Sequence, residues 1–182
     1  MTKSSNWEST IKPILVLTVS SLVASLLLAL VNSVTAPVIE ANQKAATLVA
    51  YVEVLPTVSD AAELEEITDY TTAGITGAVR APDGSVAIQA SESGYNGGAV
   101  NVIIGFDTAG TMTGIHVDAS SQTSGIGTNV ALPDYLAQFD GLTAEANIAK
   151  GQGYDAVAGA TYSTDALFAA INDCINCYNE IA

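Results

Sequence analysis

A threonine just before a predicted helix is the residue of this sequence best placed for chemistry. The small residues Gly159 and Ala160 precede Thr161, and an apolar pattern with helical spacing runs from residue 164 almost to the end. We predict Ser163 or Thr164 as the N-cap of that helix. The Thr161 hydroxyl would then lie beside unpaired main-chain N–H groups and the positive end of the helix dipole, which together favour an anion.

The local pattern alone allows two interpretations. A phosphate bonded to Thr161 would be stabilised at this helix end, and the small residues before it would leave room for a bulky group. A Gly-Ala-Thr sequence before a helix is, however, far more often an ordinary cap.

The chain is strongly acidic. It has 5 lysines and arginines against 19 aspartates and glutamates, and its net charge is -14. From Pro37 onward, where every acidic residue except Glu8 lies, the only lysines and arginines are Lys44, Arg80 and Lys150. Such a surface repels phosphate backbones, so we expect no nucleic-acid partner. The 182 residues suffice for one ordinary core, which predicts a single anchored domain.

An uncharged run from residue 14 to 34 predicts a membrane span, because a helix rises about 1.5 Å per residue and the hydrocarbon core is ~30 Å thick. Lys3 and Lys12 precede this run and Glu40 follows it, which predicts a cytoplasmic N-terminus over residues 1–13. We assign residues 14–35 to a retained single-pass helix. A cleaved signal peptide is the alternative, although its apolar core is usually only ~7–15 residues long.

Beyond the span, the sequence predicts an α+β domain with an antiparallel sheet and flanking helices. Residues 36–72 are assigned to a connecting amphipathic helix, ending before Pro56, and a linker; Pro37 should prevent the span from continuing unkinked. Residues 73–182 form the domain. Short runs rich in Val, Ile and Thr, separated by Gly, Asn and Asp, predict strands at 74–81, 85–90, 99–106 and 113–117. Helical patterns return at 133–139 and from 164 onward.

Three other side chains are candidates for chemistry. Cys174 and Cys177 have the Cys-x-x-Cys spacing, but Cys174 lies on the apolar stripe of the last helix, which favours packed thiols. A disulfide and a metal shared with a partner are the alternatives; no second cysteine pair is present, so we predict no metal site within the chain. His116 alternates with Ile115 and Val117 and should face away from them.

Residues 155–161 resemble the flavinylation motif of the FMN-binding domains in the G subunit of the Rnf complex and the C subunit of the sodium-pumping NADH:quinone oxidoreductase. In that motif an Asp is followed by Ser or Thr and then by Gly-Ala-Thr, and a flavin transferase joins FMN to the last threonine through a phosphoester. The resemblance extends over almost the whole chain, in the family's order: Thr35-Ala36-Pro37, Val54-Leu55-Pro56, Gly94-Tyr95-Asn96-Gly97 and Thr123-Ser124-Gly125-Ile126-Gly127. The last of these is similar to the family's Glu-Thr-Pro-Gly-Leu-Gly loop, which lies against the flavin.

The resemblance implies FMN bound covalently to Thr161 in a domain outside a bacterial cell membrane. It further implies a redox-relay component of an ion-translocating ferredoxin:NAD⁺ oxidoreductase, with other membrane and peripheral subunits and a flavin transferase as partners. The coupling ion, Na⁺ or H⁺, stays open. We find no nucleophile–base pair and expect no separate catalytic site. The remaining expected cofactor-binding residues are Asp155, Gly159, Ala160, Thr123, Gly125, Gly127 and Tyr95.

The chain departs from the family at Gln122, Ser124 and Ala158, where the family usually has Glu, Pro, and Ser or Thr. Two other functions stay open on the sequence. The first is a membrane-tethered flavinylated domain of another extracytoplasmic electron-transfer chain. The second is a non-redox sensory or adhesive module in which Thr161 is only a helix cap; bound flavin would separate the two classes.

Overall fold

The computed structural model describes residues 7–182. The chain divides into two compact units, the first ending at Ala46 and the second comprising Thr47–Ala182. Residues 47–72, which the sequence assigned to a connecting segment, therefore pack as part of the second unit.

One long helix, α1 (Lys12–Val54), follows a short π-helix at Trp7–Ile11. By length and composition α1 can cross a membrane, and none of its most apolar 18-residue window is buried. The separate amphipathic helix expected after the span is instead the last part of α1, which continues through Pro37. A proline removes only one helical hydrogen bond, and here helix-forming residues continue on both sides. The helix ends just before Leu55 and Pro56, as the sequence predicted.

A five-stranded antiparallel sheet with the strand order β1-β2-β3-β4-β5 forms the centre of the second unit. The predicted antiparallel meander and α+β fold are therefore confirmed. The short first strand was not predicted, because two charged residues carry no period-2 apolar signal. The strands are β1 (Glu65–Glu66), β2 (Ile75–Arg80), β3 (Val86–Ser93), β4 (Ala99–Phe106) and β5 (Met112–Asp118).

A short helix, α2 (Pro133–Leu136), lies in the connection after β5, and helix α3 (Thr161–Ile181) then covers one face of the sheet over β3 and β4. The core between α3 and the sheet is dry: Ile88, Ile104, Leu167 and Ile171 have no solvent exposure. At about 1.5–3 kcal/mol for each large apolar side chain removed from water, this layer is the main source of stability for the domain.

The end of α1 covers the other face of the sheet. Val54 packs against Gly105 of β4, where a Cβ atom would collide with the Val54 carbonyl. The Thr113 hydroxyl donates a hydrogen bond of 2.6 Å to that same carbonyl. His116 also lies on this face, with its Nδ1 3.0 Å from Glu53 Oε2, so the prediction that it faces away from Ile115 and Val117 is confirmed.

The segment between α1 and β2 is fastened to the end of α3 by one carboxylate. Glu180 accepts hydrogen bonds from the main-chain N–H and the hydroxyl groups of both Thr71 and Thr72, at 2.6–3.1 Å. These hydrogen bonds, those from the two threonine hydroxyls first, hold the pKa of Glu180 below its usual range. The segment is thus part of the folded domain.

Cys174 and Cys177 are free, fully buried thiols on α3. The Cys174 thiol donates to the Ile88 carbonyl at 3.6 Å. Burial raises the pKa of Cys174 well above its usual value and that of Cys177 to about 11. Within residues 7–182 no group of three metal-ligating side chains occurs. The burial of both thiols agrees with the packed-thiol interpretation, and a metal shared with a partner stays an alternative.

Two carboxyl groups, those of Asp173 on α3 and Glu92 on β3, converge beside Gly74, where an added Cβ atom would meet both. Desolvation and then the charge of Glu92 raise the pKa of Asp173 from 3.8 to about 6. Because the pKa of Asp173 is higher in the folded domain than in the unfolded chain, its contribution to stability is fully present below the unfolded-state pKa. That contribution is lost as the pH rises through the folded-state pKa.

We expect Asp173→Asn to remove this pH dependence and to stabilise the domain by about 1 kcal/mol at pH 8, after allowance for solvent screening. Urea unfolding of the full-length chain in detergent, at pH 4 and pH 8, measures the difference. The exposed Asp140 gives a control, Asp140→Asn, that should behave as the parent. If the variant and the parent lost the same unfolding free energy between pH 4 and pH 8, Asp173 would not be the source of the pH dependence.

Candidate functional site

A groove of about 310 Å³ opens where α3 begins, a size typical of small-ligand sites. It brings together six of the eight predicted cofactor-binding residues; Asp155 and Gly125 do not line it. Its walls also contain Ile126, Tyr162 and Ser163, which the sequence did not predict as cofactor-binding residues. The six are Tyr95, Thr123, Gly127, Gly159, Ala160 and Thr161.

Helix α3 begins at Thr161, with Ala160 as its N-cap, so the prediction of Ser163 or Thr164 as the cap is wrong. The first helical bond runs from the Thr164 N–H to the Ala160 carbonyl, at 2.9 Å. The N-cap residue makes no side-chain hydrogen bond, because alanine has no acceptor to offer the N–H groups of the first turn. Thr161 is exposed, and it lies in the first turn of a helix whose N-cap supplies no acceptor.

A tight turn over residues 157–160 presents Thr161. The Ala160 N–H donates to the Val157 carbonyl at 3.1 Å, and Gly159 has a φ of +78°. A positive φ at the third position defines a type II turn, which favours glycine there. The buried Thr164 hydroxyl accepts a hydrogen bond of 3.2 Å from the Val157 N–H and so fastens the turn to the helix. Ala158 is exposed in this turn.

Asp155 is held by its main chain rather than by its side chain. Its N–H donates to Gln138 Oε1 and its carbonyl accepts from the Tyr135 hydroxyl, both at 2.7 Å. The side chain is exposed outside the groove, so a direct contact of Asp155 with a cofactor stays a prediction.

One buried amide, that of Gln122, joins the three parts of the site. Its Oε1 accepts hydrogen bonds from the Ser163 hydroxyl of α3 at 2.8 Å and from the Tyr95 N–H at 3.0 Å. Its Nε2 donates to the Gly98 carbonyl at 2.6 Å. Gln122 is only 6 % exposed, so these three bonds replace its water contacts. The sequence marked Gln122 only as a departure from the family and gave no signal of this role.

Glycines make the space for that amide. A Cβ atom at Gly94 or Gly98 would approach the Gln122 side chain to within 2.8 Å. At Gly127 it would approach Ser163 Oγ to 2.6 Å, so this glycine is needed for packing against the start of α3. Gly125 has a φ of +72° and open space beside it, and it serves the shape of the loop.

Two tyrosines flank the groove. Tyr95 and Tyr162 have ring centroids 6.1 Å apart and planes tilted by 50°. They are 56 % and 67 % exposed, although each ring is largely apolar. The sequence did not single out Tyr162, because it follows Thr161 inside a helical pattern; its place next to Thr161 was the one available signal.

A positive charge lies one turn along the helix from Thr161. The Lys150 ammonium group pairs with the Asp165 carboxylate, and Asp165 follows Thr161 by four residues on the same side of α3. Because Asp165 already balances the charge of Lys150, a phosphate on Thr161 would rely on the helix N–H groups.

Residues 94–176 match the model of the FMN-binding domain family, and all the residues that line the groove lie within that range. Over its length, the chain is similar to the G subunit of the Na⁺-translocating ferredoxin:NAD⁺ oxidoreductase complex of Acetobacterium woodii. The two are 29 % identical over 202 aligned residues, which cover 97 % of this chain and 95 % of the relative. The comparisons agree with the resemblance deduced from the motifs: part of the chain is similar to FMN-binding domains, and nearly the whole chain is similar to the G subunit of that complex, which supports a role in electron transfer.

The residues of the site fit FMN. An exposed hydroxyl and helix N–H groups without an N-cap acceptor suit its phosphate, and the groove with its apolar and aromatic walls suits a flat ring. Open space beside Gly159 leaves the approach to Thr161 clear.

We expect Gln122→Met to destabilise the domain by about 2 kcal/mol, because a side chain of similar size would leave the Ser163 hydroxyl and the Tyr95 N–H without their acceptor. Urea unfolding followed by circular dichroism measures the loss. The exposed Gln152 allows a matched control, Gln152→Met, which should stay within about 0.5 kcal/mol of the parent. Equal stability of the two variants would show that the amide does not hold the site together.

Proposed function

We propose that this protein is the flavin-carrying relay component of an ion-translocating ferredoxin:NAD⁺ oxidoreductase complex, with FMN joined to Thr161 through a phosphoester. The observation that carries the proposal is the exposed Thr161 hydroxyl at an uncapped helix start, opening onto a groove within a matched FMN-binding domain. Similarity to a component of such a complex over nearly the whole chain supports the assignment.

The chain would hold the phosphate with its main chain. The N–H groups of the first turn of α3, which begins at Thr161 and has no side-chain cap, would bind the phosphate, and the helix dipole favours negative charge there. Lys150, bound to Asp165 one turn away, offsets part of the charge of an otherwise acidic domain. The exposed Asp155 side chain and the exposed turn at Ala158 and Gly159 leave the acceptor open to a flavin transferase.

FMN, when bound, accepts and donates one or two electrons. The protein would supply position, shielding and polarity around the ring. Thr123, Ile126 and Gly127 form one side of the groove, and the start of α3 forms the other. A covalent bond would also prevent loss of the cofactor outside the cell.

Helix α1 would anchor the protein in a bacterial cell membrane as a single span, with its N-terminus in the cytoplasm and the FMN domain outside. The length and apolar composition of α1 support the span. Lysines before the run and glutamate after it support the orientation. Other membrane and peripheral subunits would deliver electrons to the flavin and remove them. Co-purification with such subunits separates a member of a complex from a tethered domain of another electron-transfer chain.

After co-expression with a flavin transferase, we expect the intact mass to show one FMN adduct, located by peptide mass spectrometry on Thr161. Thr161→Ala should lose the adduct and its in-gel flavin fluorescence, because no acceptor hydroxyl remains. Thr123→Ala, which changes another exposed threonine of the same groove, should keep both. An adduct of equal yield in Thr161→Ala would refute the covalent assignment.

Ala158→Ser restores the hydroxyl usual in the family at an exposed turn position. Because Ala158 is exposed, stability should stay within about 0.5 kcal/mol of the parent. We expect faster flavin incorporation under limiting transferase, measured as adduct fraction against time. An unchanged time course would show that this hydroxyl is dispensable.

A further inference from the structure

The aromatic rings of the domain include a core group, a core pair of Phe106 and Tyr178, and a surface pair. Tyr135, Phe139, Tyr154 and Phe168 contact one another at or near the core, with successive ring centroids 5.4–6.3 Å apart. Tyr95 and Tyr162 instead lie on the surface. Both line the groove, and Tyr162 directly follows Thr161.

The surface pair leaves ring faces free. At 6.1 Å and a tilt of 50°, the two rings touch without stacking on each other, so much of each ring lies open to the groove. Ile126, 48 % exposed, adds a third apolar side chain to the same opening. Exposed apolar surface concentrated in one concave place is typical of a ligand site.

The spacing of the two tyrosines is fixed. Tyr95 lies in a turn whose N–H is bound by Gln122, and Tyr162 precedes Ser163, whose hydroxyl is bound by the same Oε1 atom. The amide therefore fixes the spacing of the two main-chain segments from which the rings project.

We propose that Tyr95 and Tyr162, with Ile126, form an aromatic clamp for the isoalloxazine ring of an FMN carried on Thr161. This inference rests on the proposed function, because the tether at Thr161 is what brings the ring to the clamp. An electron-poor, flat ring stacks favourably on electron-rich phenol rings, so the contact would add to the burial of apolar area. The clamp would fix the orientation of the ring and shield one of its sides from water.

Flavin fluorescence reports such contact directly. A phenol in van der Waals contact with an excited isoalloxazine donates an electron to it and takes the electron back, which returns both groups to their starting state without light emission. A clamped flavin should therefore be dark in the folded protein and bright after unfolding.

The experiment uses the full-length chain, co-expressed with a flavin transferase and purified in detergent, with the adduct quantified by intact mass. We expect the native quantum yield of the parent to be several-fold below that of the unfolded protein. In the double variant Tyr95→Leu, Tyr162→Leu, native and unfolded yields should nearly agree at full FMN occupancy. Tyr162→Phe should keep the visible circular dichroism of the flavin, because it still stacks, while its fluorescence rises. Leu132→Ala, at an exposed leucine outside the groove, should match the parent.

Two outcomes are decisive against the clamp. A fully flavinylated double variant that is as dark as the parent would overturn the clamp and leave the proposed function intact. The absence of an FMN adduct from the parent itself would overturn the proposed function and the clamp together.

Discussion

The site depends on one buried amide. Gln122 joins the Tyr95 turn, the loop after β5 and the start of α3 through three hydrogen bonds of its side-chain amide. An unpaired buried donor or acceptor costs about 1–3 kcal/mol, so the three parts of the groove cannot separate independently. The glycines on either side of the amide follow from the same constraint, because a side chain at Gly94 or Gly98 would occupy its space.

Charge determines how such a domain can hold a phosphate. With a net charge of -14 the chain cannot rely on a cluster of lysines and arginines, and Lys150 is already bound to Asp165. Main-chain N–H groups carry no net charge and need no counter-ion, which makes a helix start compatible with an acidic surface. The proposed covalent ester would remove the remaining need for high affinity.

Sequence reasoning succeeded where a residue acts through local pattern. Val, Ile and Thr at period 2 predicted β2 to β5, and Thr161 was identified by its place before a helical stripe. It failed where a residue acts through contacts with residues far away in the sequence. Nothing local to Gln122 indicates that the Tyr95 turn, far away in the chain, supplies its partner. The N-cap was misplaced because Ser163 and Thr164 have cap chemistry, but both hydroxyls are used in tertiary contacts.

Because the N-cap of α3 is an alanine, attachment of FMN to Thr161 would also affect the stability of the helix. An uncapped helix start is less stable than one with a good acceptor, by about 1 kcal/mol. In the proposed flavinylated protein, the ester phosphate would be that acceptor. Modification would therefore stabilise the first turn of α3 as well as attach the cofactor. The unmodified chain would leave the N–H groups of the first turn without a side-chain acceptor, and the loaded protein would hold Thr161 more firmly. The flavin transferase would thus act on a protein in which the start of α3 still has no N-cap acceptor.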